Sequence, residues 1–114
     1  WQRIASEAAG QCGRGRIPPV ASPLTFSEAV RRLETEPALV LCEGGGRPLG
    51  DLVGRDCRHL SIVVGPEGGF EKGEVECLLQ NGAKAATLGK RILRCETAPL
   101  AALAVIMHLT GNLE

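Results

Sequence analysis

Residues 60–70, with the sequence LSIVVGPEGGF, constrain the fold more than any other part of the chain. The β-branched residues 62–64 predict a short buried strand, which ends at Gly65-Pro66 because proline cannot donate to a sheet ladder. Glu67 and two glycines follow, and the pattern then becomes helical. Strand, glycine-rich loop and helix together predict a unit of an open α/β sheet, whose loops at the carboxyl edge bind ligands. A tight turn with an incidental glutamate is the alternative, since short glycine motifs recur in unrelated proteins.

Strands and helices alternate along the rest of the chain, which favours a parallel α/β sheet with flanking helices. The predicted helices cover residues 1–12, 25–34, 71–80 and 98–109; the predicted strands cover 17–20, 38–42, 60–64 and 83–88, with a short helical turn within 51–59. Three of these strands end at a glycine, namely Gly44, Gly65 and Gly89. Because parallel strands end at a common edge, the three loops are expected to lie side by side.

Composition limits the chain to one domain and narrows the ways in which it can bind nucleic acid. A length of 114 residues is enough for a single core. Aromatic residues make up 3% of the chain, too few for a stacking platform of the single-strand-binding type. The formal net charge is zero, although ten of the thirteen cations are arginine, which suits forked phosphate contacts. Local arginine patches are therefore the expected route to any nucleic acid.

The cysteines and the chain ends bear on compartment and organisation. Five cysteines show no C-x-x-C motif and no histidine at metal-ligand spacing, which predicts no metal site and a reducing compartment such as the cytoplasm. No signal peptide is visible, and the apolar run at 99–109 is too short to span a bilayer. The helical pattern already begins at Trp1 without a cap, so a preceding segment is expected.

The loop after the last predicted strand combines cationic and apolar residues. Ile92 and Leu93 gain nothing from solvent exposure, so we expect them to face a ligand or a partner chain. Backbone groups beside apolar walls suit a flat, weakly polar ring such as adenine. Arg91 and Arg94 are suited to phosphate or to a carboxylate. A packed loop with a local pair between an arginine and Glu96 is the alternative.

Several of these segments together resemble one family of enzymes. VGPEGGF at 64–70, LGKRILRCETA at 88–98 and WQRIA at 1–5, together with Gln11 and Arg14, resemble the 16S ribosomal RNA (uracil-N3)-methyltransferase family of the SPOUT superfamily. The resemblance covers nearly the whole chain. It implies S-adenosylmethionine as cofactor, methyl transfer to N3 of a uridine in small-subunit ribosomal RNA, and a homodimer with an α/β trefoil knot. It also implies that residues 1–114 are the catalytic domain without the family's N-terminal RNA-binding domain, so that the chain binds cofactor yet methylates poorly.

The resemblance assigns residues to three roles. Contacts to the cofactor are implied for Leu41, Glu43, Gly65, Gly68, Gly69, Leu88, Gly89, Ile92 and Leu93. Contacts to RNA are implied for Gln11, Arg14, Arg16 and Arg91. The catalytic candidates are Arg94, to stabilise the developing uracil anion, Glu67, as the base for the N3 proton or only as an anchor of its loop, and Arg14.

Two other functions stay open at this point. One is a non-catalytic RNA-binding or dimerisation module with the same fold. The other is an α/β domain that binds a different nucleotide through the glycine-rich loop at 65–69. Ligand-dependent melting separates them, because a ligand that binds only the folded state raises the melting midpoint.

Overall fold

A computed structural model describes residues 1–113, and its four strands form a single parallel sheet. The elements in chain order are α1 (Gln2–Gln11), α2 (Phe26–Leu33), β1 (Ala38–Leu41), β2 (Arg47–Pro48), α3 (Leu49–Leu52), β3 (Ser61–Val63), α4 (Lys72–Gln80), β4 (Lys84–Thr87) and α5 (Ala98–Leu109). The spatial order of the strands is β2-β4-β1-β3, and every neighbouring pair is parallel. The predicted α/β class is therefore confirmed, while the trefoil knot stays a prediction.

Helices cover both faces of the sheet and create two cores, as a parallel sheet requires. Side chains alternate along β1, so that Val40 faces one side and Leu39 the other. One core lies under α2 and α4 and contains Val30, Ala38, Val40, Leu78 and Ala83. The second lies under α3 and α5 and contains Leu39, Leu49, Val53, Ala86 and Ala102. Val40 has no exposed surface, which places β1 at the centre of the domain.

The four predicted long helices are present, and two begin with the caps that their sequences indicate. The backbone N–H of Glu28 donates to Thr25 Oγ1 at 3.2 Å, and Thr25 Oγ1 donates to the Glu28 carboxylate at 2.9 Å. At α4, Glu71 and Glu74 form a reciprocal capping box. Helix α5 has the predicted bounds. Local chemistry therefore fixes where these helices begin.

Strand β2 was not predicted from the sequence. It forms because the backbone at Gly46 comes very close to the backbone of β4. Gly46 has φ of +113°, and a Cβ built on it would lie 2.7 Å from the carbonyl carbon and oxygen of Ala85. Arg47 then pairs with Ala86 on β4. Only a glycine brings the chain this close to β4, so Gly46 is what allows β2 to dock.

Three sequence-based expectations are wrong in detail. Residues 17–20 are exposed coil rather than an edge strand, because two prolines there lack N–H groups and no strand lies beside them. The short helix expected within 51–59 lies earlier, at Leu49–Leu52. Strand β3 is half-buried rather than buried, since it is an edge strand that pairs with β1 alone.

Helix α5 buries one side and exposes another. Ala98 and Ala102 are buried, whereas Leu100, Leu103 and Met107 are 71%, 52% and 37% exposed. The spacing of the exposed residues places them on one helix face, called here the α5 stripe. With 12 residues the helix is about 18 Å long. Throughout residues 1–113 no helix has the length and apolar character to cross a membrane.

Candidate active site

The carboxyl ends of β4, β1 and β3 open into one cleft of about 750 Å³. Three loops that are distant in sequence line it, at residues 42–44, 64–70 and 88–95. They meet because the three strands are neighbours in a parallel sheet and so end at the same edge. The prediction that Gly44, Gly65 and Gly89 lie side by side is confirmed.

The loop at 64–70 is anchored by its own residues. Gly69 N–H donates to the Pro66 carbonyl at 2.8 Å, and Gly69 has φ of +77°. The Phe70 ring packs on the core under α4 and lies against Gly65, where a Cβ would be 3.1 Å from Cδ2 of the ring. By contrast, a Cβ on Gly68 or Gly69 would meet no protein atom within 4 Å. The backbone at these two glycines is therefore open to a ligand.

Helix α4 begins at this loop, and two of its own carboxylates lie at its N-terminus. The backbone N–H of Glu71 donates to Glu74 Oε1 at 2.8 Å, and the Glu71 side chain accepts from the N3 backbone N–H. A free helix N-terminus attracts phosphate, whereas two carboxylates at this one repel it. The glycine-rich loop therefore does not have the electrostatics of a phosphate-binding turn.

The first turns of α4 also supply side chains to the cleft, which the sequence analysis missed. These are Lys72, Val75 and Glu76, with Cys42, Lys90 and Cys95 added by the three loops. The α4 residues recur at i, i+3 and i+4, a pattern that marks one face of a helix. This pattern does not tell which face of the helix meets a cleft rather than a core, so these three residues could not be selected from it.

Charged groups of both signs surround the cleft without pairing. Its lining includes carboxylates at residues 43, 67 and 76 and cations at residues 72, 90, 91 and 94. Within residues 1–113 the only ion pair joins Arg3 and Glu7, at 3.0 Å on the exposed face of α1. The alternative of a local pair with Glu96 is therefore wrong for the described residues. Arg91 and Arg94 line the cleft and form no ion pair with a carboxylate of residues 1–113.

Glu96 pairs instead with its neighbour. Cys95 Sγ donates to Glu96 Oε2 at 3.2 Å. This hydrogen bond raises the pKa of the Cys95 thiol and lowers the pKa of the Glu96 carboxyl. Burial raises the pKa of Cys42, the other cysteine in the cleft lining. Both thiols are thus held in their neutral form, which makes them poor nucleophiles.

Apolar side chains form the remaining wall of the cleft. Leu41 and Leu88 come from the ends of adjacent strands, and Ile92 and Leu93 from the loop that follows β4. Ile92 is 69% exposed beside the cleft, so the expectation that it faces a ligand or a partner chain stays a prediction. An exposed isoleucine beside a cleft has apolar surface to gain from a ligand or a partner.

The structure brings most of the sequence-predicted residues together. All nine residues predicted for the cofactor line the cleft: Leu41, Glu43, Gly65, Gly68, Gly69, Leu88, Gly89, Ile92 and Leu93. Glu67, Arg91 and Arg94 line it too. Gln11, Arg14 and Arg16 are exposed at the end of α1 and in the loop after it, outside the cleft lining. The roles of all these residues stay predictions.

The fold and the cleft define a parallel α/β domain with a ligand site at the carboxyl edge of its sheet. Residues 1–107 match the family described as RNA methyltransferase domain. The chain belongs to that family.

Relatives and solved structures of greater length resemble this chain over nearly all of it. It is 41% identical to ribosomal RNA small subunit methyltransferase E of Synechocystis sp., over 96% of this chain and 38% of the relative. It is 37% identical to the protein of that name from Mycobacterium tuberculosis, over 98% of this chain and 45% of the relative. A crystal structure of the Neisseria gonorrhoeae protein of that name, described as bound to S-adenosyl methionine, has a TM-score of 0.88 and 39% identity over 96% of this chain and 46% of the other. The chain thus spans about two-fifths to one half of the proteins it matches.

Proposed function

We propose that residues 1–114 form the catalytic domain, with the knotted SPOUT fold, of an S-adenosylmethionine-dependent methyltransferase that modifies N3 of a uridine in small-subunit ribosomal RNA. The observation that carries the proposal is the convergence of three glycine-containing loops on one cleft in a member of an RNA methyltransferase family. The Neisseria structure, described as bound to S-adenosyl methionine, supports the same cofactor here. The substrate places the protein in the cytoplasm.

The cleft fits this cofactor in size and in lining. A volume of about 750 Å³ lies within the usual range for small-ligand sites, roughly 300–1,000 Å³. Leu41, Leu88 and Leu93 offer an apolar wall for an adenine ring. Gly68 and Gly69 offer backbone that no side chain covers, where the methionine part can approach closely.

The carboxylates beside the glycine-rich loop disfavour a triphosphate at that loop, although cations at residues 72, 90, 91 and 94 also line the cleft. The sulfonium cofactor carries a net positive charge. The loop at 64–70 places the carboxylate of Glu67 in the cleft lining, where it would attract such a charge. The carboxylates of Glu71 and Glu74 close the helix N-terminus that would otherwise receive phosphates. These groups count against the alternative of a nucleotide-binding domain.

The reaction needs an acceptor nitrogen freed of its proton and a stabilised negative charge on the uracil. When bound, S-adenosylmethionine supplies an electrophilic methyl group, and the electrons of the broken carbon–sulfur bond stay on sulfur. Glu67 accepts the N3 proton or holds its loop in place. Arg94 donates to a uracil oxygen and stabilises the charge that develops as the proton leaves. Both side chains line the cleft, so neither has to cross the molecule to act.

RNA contacts are proposed for Gln11, Arg14, Arg16 and Arg91, with Arg14 also serving the catalytic step. Gln11 ends α1 and the two arginines after it lie in an exposed loop, while Arg91 lies at the cleft. Because the formal net charge is zero, RNA affinity has to come from such local groups.

Ligand-dependent melting tests the cofactor. We expect S-adenosylhomocysteine at 100 times its dissociation constant to stabilise the fold by about 2.7 kcal/mol, which is roughly 10 °C for a domain of this size. ATP at the same concentration should leave the midpoint unchanged. A shift with ATP alone would overturn the cofactor assignment.

A second assay tests the reaction and its position. Small-subunit ribosomal RNA incubated with S-adenosylmethionine is digested to nucleosides and analysed by mass spectrometry for 3-methyluridine. A different methylated nucleoside would overturn the N3 assignment. Cofactor binding without any methylation, from this chain and from a longer relative alike, would favour the non-catalytic module.

We propose that the chain is a homodimer, and the α5 stripe supports this because large apolar side chains lie exposed along one face of a helix whose opposite face packs in the core. Sedimentation at micromolar concentration is expected to give twice the mass of one chain. Leu103→Glu should yield monomers, since it places a charge within the stripe. Leu79→Glu, at a leucine on α4 that is 40% exposed, is the matched control and should stay dimeric. A monomeric parent would contradict the proposal.

A further inference from the structure

The glycine- and arginine-rich segment after α1 is held at both of its ends. At the first end, α1 closes with a Schellman motif: Gly13 has φ of +75°, Gly13 N–H donates to the Gly10 carbonyl at 3.4 Å, and Arg14 N–H donates to the Ala9 carbonyl at 2.9 Å. This motif fixes the backbone of Arg14 relative to the helix.

At the second end, the side chain of Gln2 holds the segment. Gln2 Nε2 donates to the Pro18 carbonyl at 3.0 Å, and Gln2 Oε1 accepts from Val20 N–H at 2.8 Å. A carbonyl and an N–H two residues apart are the groups that a neighbouring parallel strand contacts across one residue. The amide of Gln2 thus takes the place of a strand opposite Pro19.

Between residues 15 and 24, no other hydrogen bond in the described part of the chain restrains this segment. Every residue from 10 to 28 is exposed, and Ile17 and Val20 keep 49% and 45% of their surface, so no part of the segment is buried in a core. For residues 15–24, the two bonds to Gln2 are the only hydrogen bonds that the described residues provide. Without them, a loop containing Gly13 and Gly15 would sample many conformations.

We propose that Gln2 is a positioning residue that fixes the basic loop, residues 13–16, and thereby presents Arg14 and Arg16 to RNA phosphates. The inference rests on the proposed function. Ordering a flexible residue costs about 1–2 kcal/mol, a cost that a free loop would meet at the moment of binding. The hydrogen bonds of the Gln2 amide order part of this loop before RNA binds, so less of the entropy cost remains for the binding step. The guanidinium groups of Arg14 and Arg16 then contact RNA from a backbone that is already ordered.

The variant that tests this is Gln2→Met, which keeps the length of the side chain and removes its amide. We expect faster hydrogen exchange of the Val20 amide and a three- to tenfold weaker affinity for protein-free small-subunit ribosomal RNA at low salt. Affinity for S-adenosylhomocysteine should not change, because Gln2 is outside the cleft lining. Gln80→Met, an exposed glutamine at the end of α4, is the matched control and should behave like the parent.

A double-mutant cycle separates positioning from a general structural effect. In the Arg14→Ala/Arg16→Ala background, Gln2→Met should cause no further loss of RNA affinity. An equal loss in both backgrounds would overturn the proposal, as would parent-like RNA affinity of Gln2→Met when the arginine pair weakens binding. If the arginine pair has no effect on RNA binding, the RNA contacts of the proposed function fail, and this inference fails with them.

Discussion

Replacing Gly69 with valine is expected to abolish measurable binding of S-adenosylhomocysteine while the fold survives. Gly69 has φ of +77°, a conformation that costs a β-branched residue roughly 1–3 kcal/mol. A Cβ there would meet no protein atom within 4 Å, so the added methyl groups would fill space that the ligand needs. We expect at least a hundredfold loss of affinity by calorimetric titration.

The control for this prediction must carry the same backbone strain outside the cleft. Gly82→Val does so, because Gly82 has φ of +100°, no neighbour within 4 Å of its Cβ, and a position just after α4 outside the cleft lining. It should lose comparable stability and keep full affinity. Cys77→Ser, at a half-buried residue of the core under α4, should also cost stability alone. If Gly69→Val titrates like the parent, the loop is only a turn and the cofactor lies elsewhere.

Gly46→Ala is expected to give the largest loss of stability, about 3 kcal/mol or more. The new methyl group would overlap the Ala85 carbonyl at 2.7 Å, and φ of +113° is unfavourable for alanine. Because the obstacle is backbone of β4, relief requires β2 to separate from the sheet. The measurement is the midpoint of urea denaturation, converted with a common slope.

Two neighbouring glycines make controls within the same loop. Gly44 has φ of +70° with no atom near its Cβ, so Gly44→Ala should show the cost of strain alone. Gly45 has no positive φ and no atom within 4 Å of its Cβ, so Gly45→Ala should be neutral or stabilising by up to about 1 kcal/mol. Equal denaturation midpoints for the alanine variants at 45 and 46 would contradict the close approach of Gly46 to β4.

Much of the fold could be predicted because local chemistry determines it. Thr25 and Glu28 indicate the start of α2, and the apolar run of β1 indicates a strand covered on both faces. Strand β2 could not be predicted, since two residues that include Pro48 carry no periodicity. Residues 17–20 were wrongly predicted to form a strand. Their backbone groups bond to the side chain of Gln2 and not to a neighbouring strand. Spatial strand order is likewise not encoded in a local pattern.

Part of the candidate site could likewise be predicted from the sequence, and part could not. Glycines at strand ends predicted that three loops converge, because parallel strands share an edge. The contribution of Lys72 and Glu76 was missed, since it depends on how α4 is rotated against the sheet. What covers Ile92, which is 69% exposed beside the cleft, is likewise not specified by the sequence.

The place of β4 in the sheet has a consequence for how the chain matures on the ribosome. Strand β4 lies between β1 and β2, although it is the last strand to be synthesised. Until residues 84–87 emerge, β1 and β2 have no strand to join them, and both present unpaired backbone edges. The cleft depends on the loop that follows β4 as well. The domain therefore cannot acquire its site progressively during translation; sheet and site are completed together, once residues 84–95 have left the exit tunnel.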